Sequence, residues 1–189
     1  ALHPSAFSHL ARGLNARGIA VAMPAYDLCP AVPLGAIVDQ MRAAAHALAG
    51  EGRTRLVAAG HSAGGHLTAC LLATRWREVA PDLPENLIRA GYTISGLFDL
   101  LPLVGTSINT ALGLDASQAE ALSPLLWPAP AGARLDAVVG GDESGEYHRQ
   151  SHEIVRVWGE AGVGTRFGMI AGANHFTVIA PLADPASAM

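Results

Sequence analysis

The stretch that decides the fold is Gly60-His61-Ser62-Ala63-Gly64-Gly65. An apolar run, Leu56-Val57-Ala58-Ala59, precedes it, and a helix-like run, residues 67–72, follows it. The pattern G-x-S-x-G between a strand and a helix predicts a sharp turn with a serine at its apex, because the strained backbone leaves the neighbouring residues room for almost no side chain. A plain strand-to-helix turn is the alternative, since glycine and serine also mark ordinary turns.

The turn assigns a candidate role to two of its residues. The Ser62 hydroxyl would stand clear of the sheet, where a histidine can reach it. The amide of Ala63 would point toward the position of an oxyanion in an acyl-transfer reaction. Ser62 is therefore the candidate nucleophile, and Ala63 is the candidate oxyanion donor.

The composition indicates a single packed domain over residues 1–189. Half of the chain is apolar and 15% is charged, which is typical of an α/β protein and argues against disorder. The net charge of −4 gives no electrostatic support for nucleic-acid binding. No apolar run approaches the roughly 18 residues of a membrane helix, and no signal peptide is visible. Cys29 and Cys70 lack metal or disulfide-framework spacing, which favours buried thiols in a reducing cytoplasm.

Strands alternate with helices along the chain. Apolar runs predict strands at residues 19–23, 56–59, 90–95, 134–140 and 165–170, and helical periodicity predicts helices near residues 7–14, 37–48, 67–72 and 146–158. This alternation predicts a mostly parallel sheet with helices on both faces. Ligands bind such sheets at the carboxyl ends of the strands. The long segment 96–130 is then placed to overhang the site as a cap or lid, or it is a packed surface excursion.

A nucleophilic serine needs a base, and the base needs an acid that orients it. In α/β-hydrolases the acid and then the histidine follow the serine along the chain. Asp142 and Glu143 follow the fourth predicted strand and His175 follows the fifth, so all three lie at the sheet edge of Ser62. Successive side chains near a strand end point in opposite directions, so normally only one carboxylate can face His175. Aspartate is the commoner triad acid, which favours Asp142 on the residues alone.

Other titratable residues receive structural interpretations. His61 and His66 flank the serine turn, where they can pack or bond to the backbone. His148 and His152 are four apart on a predicted helix, a spacing that can bind zinc, but a solvated helix face is favoured because the third ligand would have to come from elsewhere. Asp99 follows the third predicted strand and is interpreted as a helix cap or a residue that holds the lid.

Four segments together resemble the kynurenine formamidase (arylformamidase) group of hormone-sensitive-lipase-like esterases in the α/β-hydrolase superfamily. They are Gly60-His61-Ser62-Ala63-Gly64-Gly65-His66, Ser95-Gly96-Leu97-Phe98-Asp99-Leu100, Glu143-Ser144-Gly145-Glu146-Tyr147-His148-Arg149-Gln150-Ser151 and Asn174-His175-Phe176. The resemblance spans essentially the whole chain. It implies the α/β-hydrolase fold, a reaction without metal or organic cofactor, and hydrolysis of N-formyl-kynurenine to kynurenine and formate.

The resemblance also indicates the acid. In the group, the acid is followed directly by Ser or Thr, and the Arg-Gln-Ser run comes a fixed distance later. Glu143-Ser144 matches this register, and Asp142 misses it by one residue. The resemblance therefore predicts Glu143 as the triad acid, with Asp142 as the competitor and otherwise a solvated or helix-capping carboxylate.

The sequence departs from the group at its start. The group carries a His-Gly-Gly-type turn, whose amides complete the oxyanion hole, just before the helix that here opens at Pro4-Ser5. We therefore expect an amino-terminal truncation, with the second oxyanion donor outside this sequence. We also expect that the strand between the predicted strand at 19–23 and the strand before Ser62 is absent.

Two further interpretations stay open beside a formamidase acting on a small-molecule amide. One is a general small-acyl aryl carboxylesterase. The other is a non-catalytic binding protein of the α/β-hydrolase fold, which the missing turn supports and the complete set of serine, acid and histidine opposes. A homodimer also stays open.

Overall fold

Four of the five predicted strands form one parallel sheet in the computed structural model, which describes residues 4–187. The strands are β1 (Leu56–His61), β2 (Ile88–Ile94), β3 (Arg134–Gly140) and β4 (Gly164–Ile170), in that spatial order. The α-helices are α1 (Ala11–Asn15), α2 (Leu34–Gly50), α3 (Ala63–Leu72), α4 (Trp76–Val79), α5 (Asn109–Leu112), α6 (Ala116–Ala121) and α7 (Gly145–Glu160). Short 3-10 helices cover Pro4–Leu10, Leu101–Leu103, Pro124–Leu126 and Ala180–Ala183.

The centre of the sheet is buried because helices cover it. Leu135, Ala137 and Val139 of β3 have no exposed surface, as expected for an inner parallel strand. On α7, Ile154 and Trp158 are four residues apart, so they share one helix face, and both are fully buried against the sheet. Burial of Ile154 alone stabilises the fold by about 1.5–3 kcal/mol. This packing holds α7 against β3 and β4.

The predicted strand at residues 19–23 is wrong. The segment has no regular secondary structure, and Ile19 and Met23 are 50% and 37% exposed. Within residues 4–187, β1 is an edge strand that pairs with β2 alone, and its Val57 is 69% exposed. An apolar run becomes a strand only where a neighbouring strand accepts its backbone hydrogen bonds, and none lies beside this segment in that part of the chain.

The segment 96–130 is packed into the domain. Its Leu100, Leu103 and Leu114 are buried in one apolar cluster with Leu34 and Ile37 of α2. Asp115 begins α6 with a capping box, in which its side chain accepts from the Gln118 amide and the Gln118 side chain accepts from the Asp115 amide. The segment therefore has helices and core contacts of its own, and its role as a lid stays a prediction.

Two smaller expectations concern thiols and membranes. Both cysteines are free; Cys70 is buried as predicted, but Cys29 is only partly buried. Burial raises the pKa of the Cys70 thiol to about 12, which makes it unreactive at neutral pH. Within residues 4–187, no helix has the length and apolarity needed to span a membrane.

Candidate active site

Ser62 occupies a sharp turn between β1 and α3. Its backbone angles are φ 55° and ψ −116°, a conformation that residues with side chains rarely adopt. A Cβ atom on Gly60 would lie 2.1 Å from the carbonyl oxygen of Gly64, so the turn closes only with glycine at position 60. Ala63 is the first residue of α3, and its amide therefore has no acceptor within the helix. The turn predicted from G-x-S-x-G is the turn observed.

Three side chains form a continuous hydrogen-bonded chain at the carboxyl edge of the sheet. His175 Nε2 lies 3.1 Å from Ser62 Oγ, and His175 Nδ1 lies 2.7 Å from Glu143 Oε2. The Glu143 side chain is fully buried, whereas the His175 side chain is 22% exposed. Asp142 is exposed and is not the carboxylate bonded to His175. The structure thus brings together Ser62 and His175, which the sequence pattern predicted, and Glu143, which the resemblance predicted.

The loops that carry the acid and the histidine are tied to each other. The Gly141 and Asp142 amides donate to the carbonyls of Ile170 and Ala173, at 2.8 and 3.0 Å. A Cβ atom on Gly140 would lie 2.3 Å from the Ala173 oxygen and 2.9 Å from Glu143 Oε1. Only glycine at position 140 therefore lets the two loops approach closely enough for Glu143 to reach His175.

Ser95 is a residue of the site to which the sequence assigned no role. It follows β2 directly, is fully buried, and donates its hydroxyl to Glu143 Oε1 at 2.5 Å. The Gly140 amide donates to the same oxygen at 2.8 Å. One signal in the sequence could have identified Ser95. It is a small polar residue directly after a strand, and that strand pairs with the strand that leads into the serine turn.

The charge of Glu143 is stabilised by its neighbours. Burial alone would raise the pKa of its carboxyl, but hydrogen bonds from Ser95, Gly140 and His175 outweigh burial and hold the pKa below its usual range. Glu143 is therefore ionised at neutral pH. An ionised carboxylate accepts the Nδ1 proton of His175, which leaves Nε2 free to accept the proton of Ser62.

Aromatic rings surround the His175 imidazole. The Tyr147 ring stacks on it at 4.4 Å between centroids. Phe176 meets the imidazole edge-on at 5.7 Å and is 82% exposed. The exposed Phe176 face stands beside the candidate base, where an aromatic ligand could stack on it.

The histidines that flank Ser62 have the structural contacts that were expected. The His61 ring lies 4.5 Å from the His175 ring; its burial, and then the charge of His175, lower its pKa. His66 is buried, with Nε2 2.8 Å from the carbonyl oxygen of Leu122, and its burial lowers its pKa. Both are therefore neutral at pH 7, and neither places a second positive charge beside His175.

The remaining candidates have contacts with other residues of the described chain. His152 is exposed on α7 and stacks on Phe167 at 3.9 Å, and residues 4–187 contain no group of three side chains arranged to hold a metal ion. Asp99 accepts the amide of Leu101 at the start of a short 3-10 helix and forms an ion pair with Arg149 at 3.0 Å. The N-cap residue of this helix is Leu100, whose side chain forms no capping hydrogen bond, so the interpretation of Asp99 as a cap or a residue that holds the lid stays a prediction.

A comparison with known proteins places the chain in a family. The sequence model of the family described as alpha/beta hydrolase fold matches residues 2–131. The chain belongs to this family.

Individual relatives agree with this assignment. The chain is 28% identical to a kynurenine formamidase of Danio rerio over 93% of this chain and 61% of the relative, and 26% identical to one of Salmo salar over 89% and 59%. A solved structure from Silicibacter sp. TM1040, provisionally described as a thioesterase, is 40% identical with a TM-score of 0.85, over all of this chain and 69% of that one. The chain spans about three fifths of the length of the curated relatives that it matches.

Proposed function

We propose that this chain is a serine hydrolase in which Ser62 is the nucleophile, His175 the general base and Glu143 the acid that orients the base. The observation that carries the proposal is the hydrogen-bonded chain from Ser62 Oγ through His175 to the buried Glu143 carboxylate. The relatives named as kynurenine formamidases, and the family to which this chain belongs, support hydrolysis as the reaction class.

The geometry is suited to acyl transfer. His175 Nε2 accepts the hydroxyl proton as Ser62 Oγ attacks the carbonyl carbon, and the amide of Ala63 donates to the developing oxyanion. Glu143 stabilises the imidazolium that forms and stays ionised. His175 then gives the proton to the leaving amine or alcohol. The same nitrogen then takes a proton from a water molecule as the water oxygen attacks the acyl carbon. The bond from that carbon to Ser62 Oγ breaks, and His175 returns the proton to Oγ, which releases the acid and free Ser62.

The proposed substrate is an aryl formamide, N-formyl-kynurenine, which would be cleaved to kynurenine and formate. The kynurenine formamidase relatives support this choice. The aromatic faces of Tyr147 and Phe176 beside His175 support an aryl leaving group, because aromatic pairs stack favourably. A formyl group is the smallest acyl group, so it needs little space at Ser62.

A second candidate is hydrolysis of small acyl thioesters or aryl esters. The relative provisionally described as a thioesterase supports it, because its 40% identity exceeds that of the formamidases. The same three residues would perform this reaction, with a thiol or phenol as the leaving group. The two candidates differ in the acyl group and the leaving group that the site prefers.

The test is a comparison of kcat/KM on three substrates with purified full-length protein. N-formyl-kynurenine, p-nitrophenyl acetate and an acetyl thioester are assayed side by side, with Ser62→Ala as the blank. We expect N-formyl-kynurenine to be preferred by at least about tenfold. A higher value for the ester or the thioester selects the second candidate. Turnover that Ser62→Ala retains in full rejects the serine-hydrolase proposal.

A further inference from the structure

Two serines in the described chain share an unusual backbone angle, a positive φ. Among residues 4–187, Ser62 and Ser95 are the non-glycine residues with positive φ, at 55° and 49°. They follow adjacent parallel strands, β1 and β2, whose last residues are partners in the sheet. Each serine amide donates to the next strand, Ser62 N to Ile94 O at 2.9 Å and Ser95 N to Val138 O at 2.7 Å. Ser95 therefore occupies at the end of β2 the position that Ser62 occupies at the end of β1.

Ser95 has a strained backbone and a buried side chain. A φ of 49° is available to glycine without strain, whereas a Cβ atom makes it unfavourable. Ser95 is also completely buried, so its hydroxyl must find a partner inside the protein. Glycine would avoid both problems. A serine that persists under such conditions points to a use for its hydroxyl.

The partner of that hydroxyl is the candidate acid. Ser95 Oγ and the Gly140 amide both donate to Glu143 Oε1, at 2.5 and 2.8 Å, while Glu143 Oε2 receives His175 Nδ1 at 2.7 Å. Two donors on one oxygen fix the rotation of the carboxylate, and no solvent reaches the side chain to replace either donor. The second oxygen is thereby aimed at the imidazole.

We propose that Ser95 is a positioning residue, whose hydroxyl holds the Glu143 carboxylate in the rotation that directs Oε2 at His175. This inference rests on the proposed function, in which Glu143 orients the base. It predicts that loss of the hydroxyl leaves substrate contacts intact and loosens the His175–Glu143 hydrogen bond, so that kcat falls and KM does not change.

The test compares three variants with the unmodified protein. Ser95→Ala removes the hydroxyl and keeps the strained Cβ atom, whereas Ser95→Gly removes both and fits a φ of 49° freely. The control is Thr93→Val, because Thr93 lies two residues earlier in β2, is also fully buried, and donates its hydroxyl to the backbone of Asp136. Ser95→Gly keeps the test decisive if Ser95→Ala folds poorly.

The first readouts need no turnover. They are the ¹H resonance of the proton between His175 Nδ1 and Glu143, and the ¹³C titration of the Glu143 carboxyl. In both Ser95 variants we expect the proton resonance to shift or broaden and the titration to move to higher pH, because a donor to the carboxylate is lost. Thr93→Val should leave both signals in place.

Steady-state kinetics supply the second readout. We expect kcat to fall by about 10- to 100-fold in both Ser95 variants with KM within about twofold, the effect of a misdirected catalytic group. Unchanged resonances in both variants, or a shift equal to that in Thr93→Val, would overturn the proposal. Because the resonances can be read in a protein that turns over no substrate, failure of the proposed function and failure of this inference give different results.

Discussion

The ends of β1 and β2 carry serines of similar φ in two different environments. Both strands end in a serine with positive φ, and both serines donate their amides to the neighbouring strand. Ser62 is partly exposed with its hydroxyl 3.1 Å from an imidazole nitrogen, whereas Ser95 is fully buried with its hydroxyl on a carboxylate. Two serines of similar φ therefore have different candidate roles because their exposure and their hydrogen-bond partners differ.

The exposure of each hydroxyl explains the contrast. A nucleophile must meet a substrate, so the Ser62 turn faces outward and its base, His175, keeps some exposed surface. A positioning group works best where water cannot compete, because a hydrogen bond in a buried site is electrostatically stronger. Ser95 and Glu143 meet that condition, since neither side chain is exposed.

The largest expected effect is the loss of turnover when Ser62, at the end of β1, is replaced. Ser62→Ala should lower kcat by about 10⁴- to 10⁶-fold, because it removes the nucleophile while leaving binding contacts in place. Alanine keeps the Cβ atom at φ 55°, so the backbone strain, and therefore the melting temperature, should change little. Turnover measured beside the melting temperature checks both statements. Near-normal kcat in a cleanly purified variant contradicts the assignment of Ser62.

The next effect tests Glu143, the acid that Ser95 positions and on which Ser62 depends through His175. Glu143→Gln should lower kcat by about 10⁴-fold, because an amide NH₂ facing His175 Nδ1 favours the wrong tautomer of the imidazole. Asp142→Asn is the matched control, since Asp142 is exposed and not bonded to His175, and it should keep most of the activity. Kinetics of the two single variants decide between the carboxylates. The reverse pattern would assign the role to Asp142.

A third loop of the site begins at the end of β3, where Gly140 lies close to the loop that carries His175. Gly140→Ala would place a Cβ atom 2.3 Å from the Ala173 oxygen, so we expect a loss of about 1–3 kcal/mol in the free energy of unfolding. Gly145→Ala is the control, because no atom lies within 4 Å of a Cβ atom at that position. Urea denaturation of both variants measures the effect. Equal stability of the two would show that the loops do not need their close approach.

The smallest effect is a pH dependence of stability. The folded pKa of Glu143 lies below its unfolded value of about 4.3, so its contribution is complete above that pH and is lost as the pH falls through the folded pKa. Between about pH 5 and pH 3, the unfolding free energy of the unmodified protein should therefore fall more steeply than that of Glu143→Gln. Urea denaturation at several pH values checks the slopes. Parallel slopes would remove Glu143 from the groups stabilised by folding.

The sequence correctly predicted the features that depend on residues close together in the chain. The bounds of β3 were predicted to the residue, and the serine turn followed from glycine spacing, because turn sterics act within a few residues. The strand predicted at 19–23 failed because a strand needs a partner elsewhere in the chain. The contact of Ser95 with Glu143 joins residues 48 apart, and no local pattern reports such a contact.

The central claim is that His175 and Glu143 activate Ser62 as a nucleophile. It is tested most directly by the rate at which a fluorophosphonate modifies the protein, with the site found by peptide mass spectrometry. We expect a single adduct on Ser62, formed at least about 100-fold more slowly in His175→Ala, because a general base typically accelerates such steps by 10²–10⁴-fold. An adduct on another residue, or an unchanged rate in His175→Ala, would contradict the account.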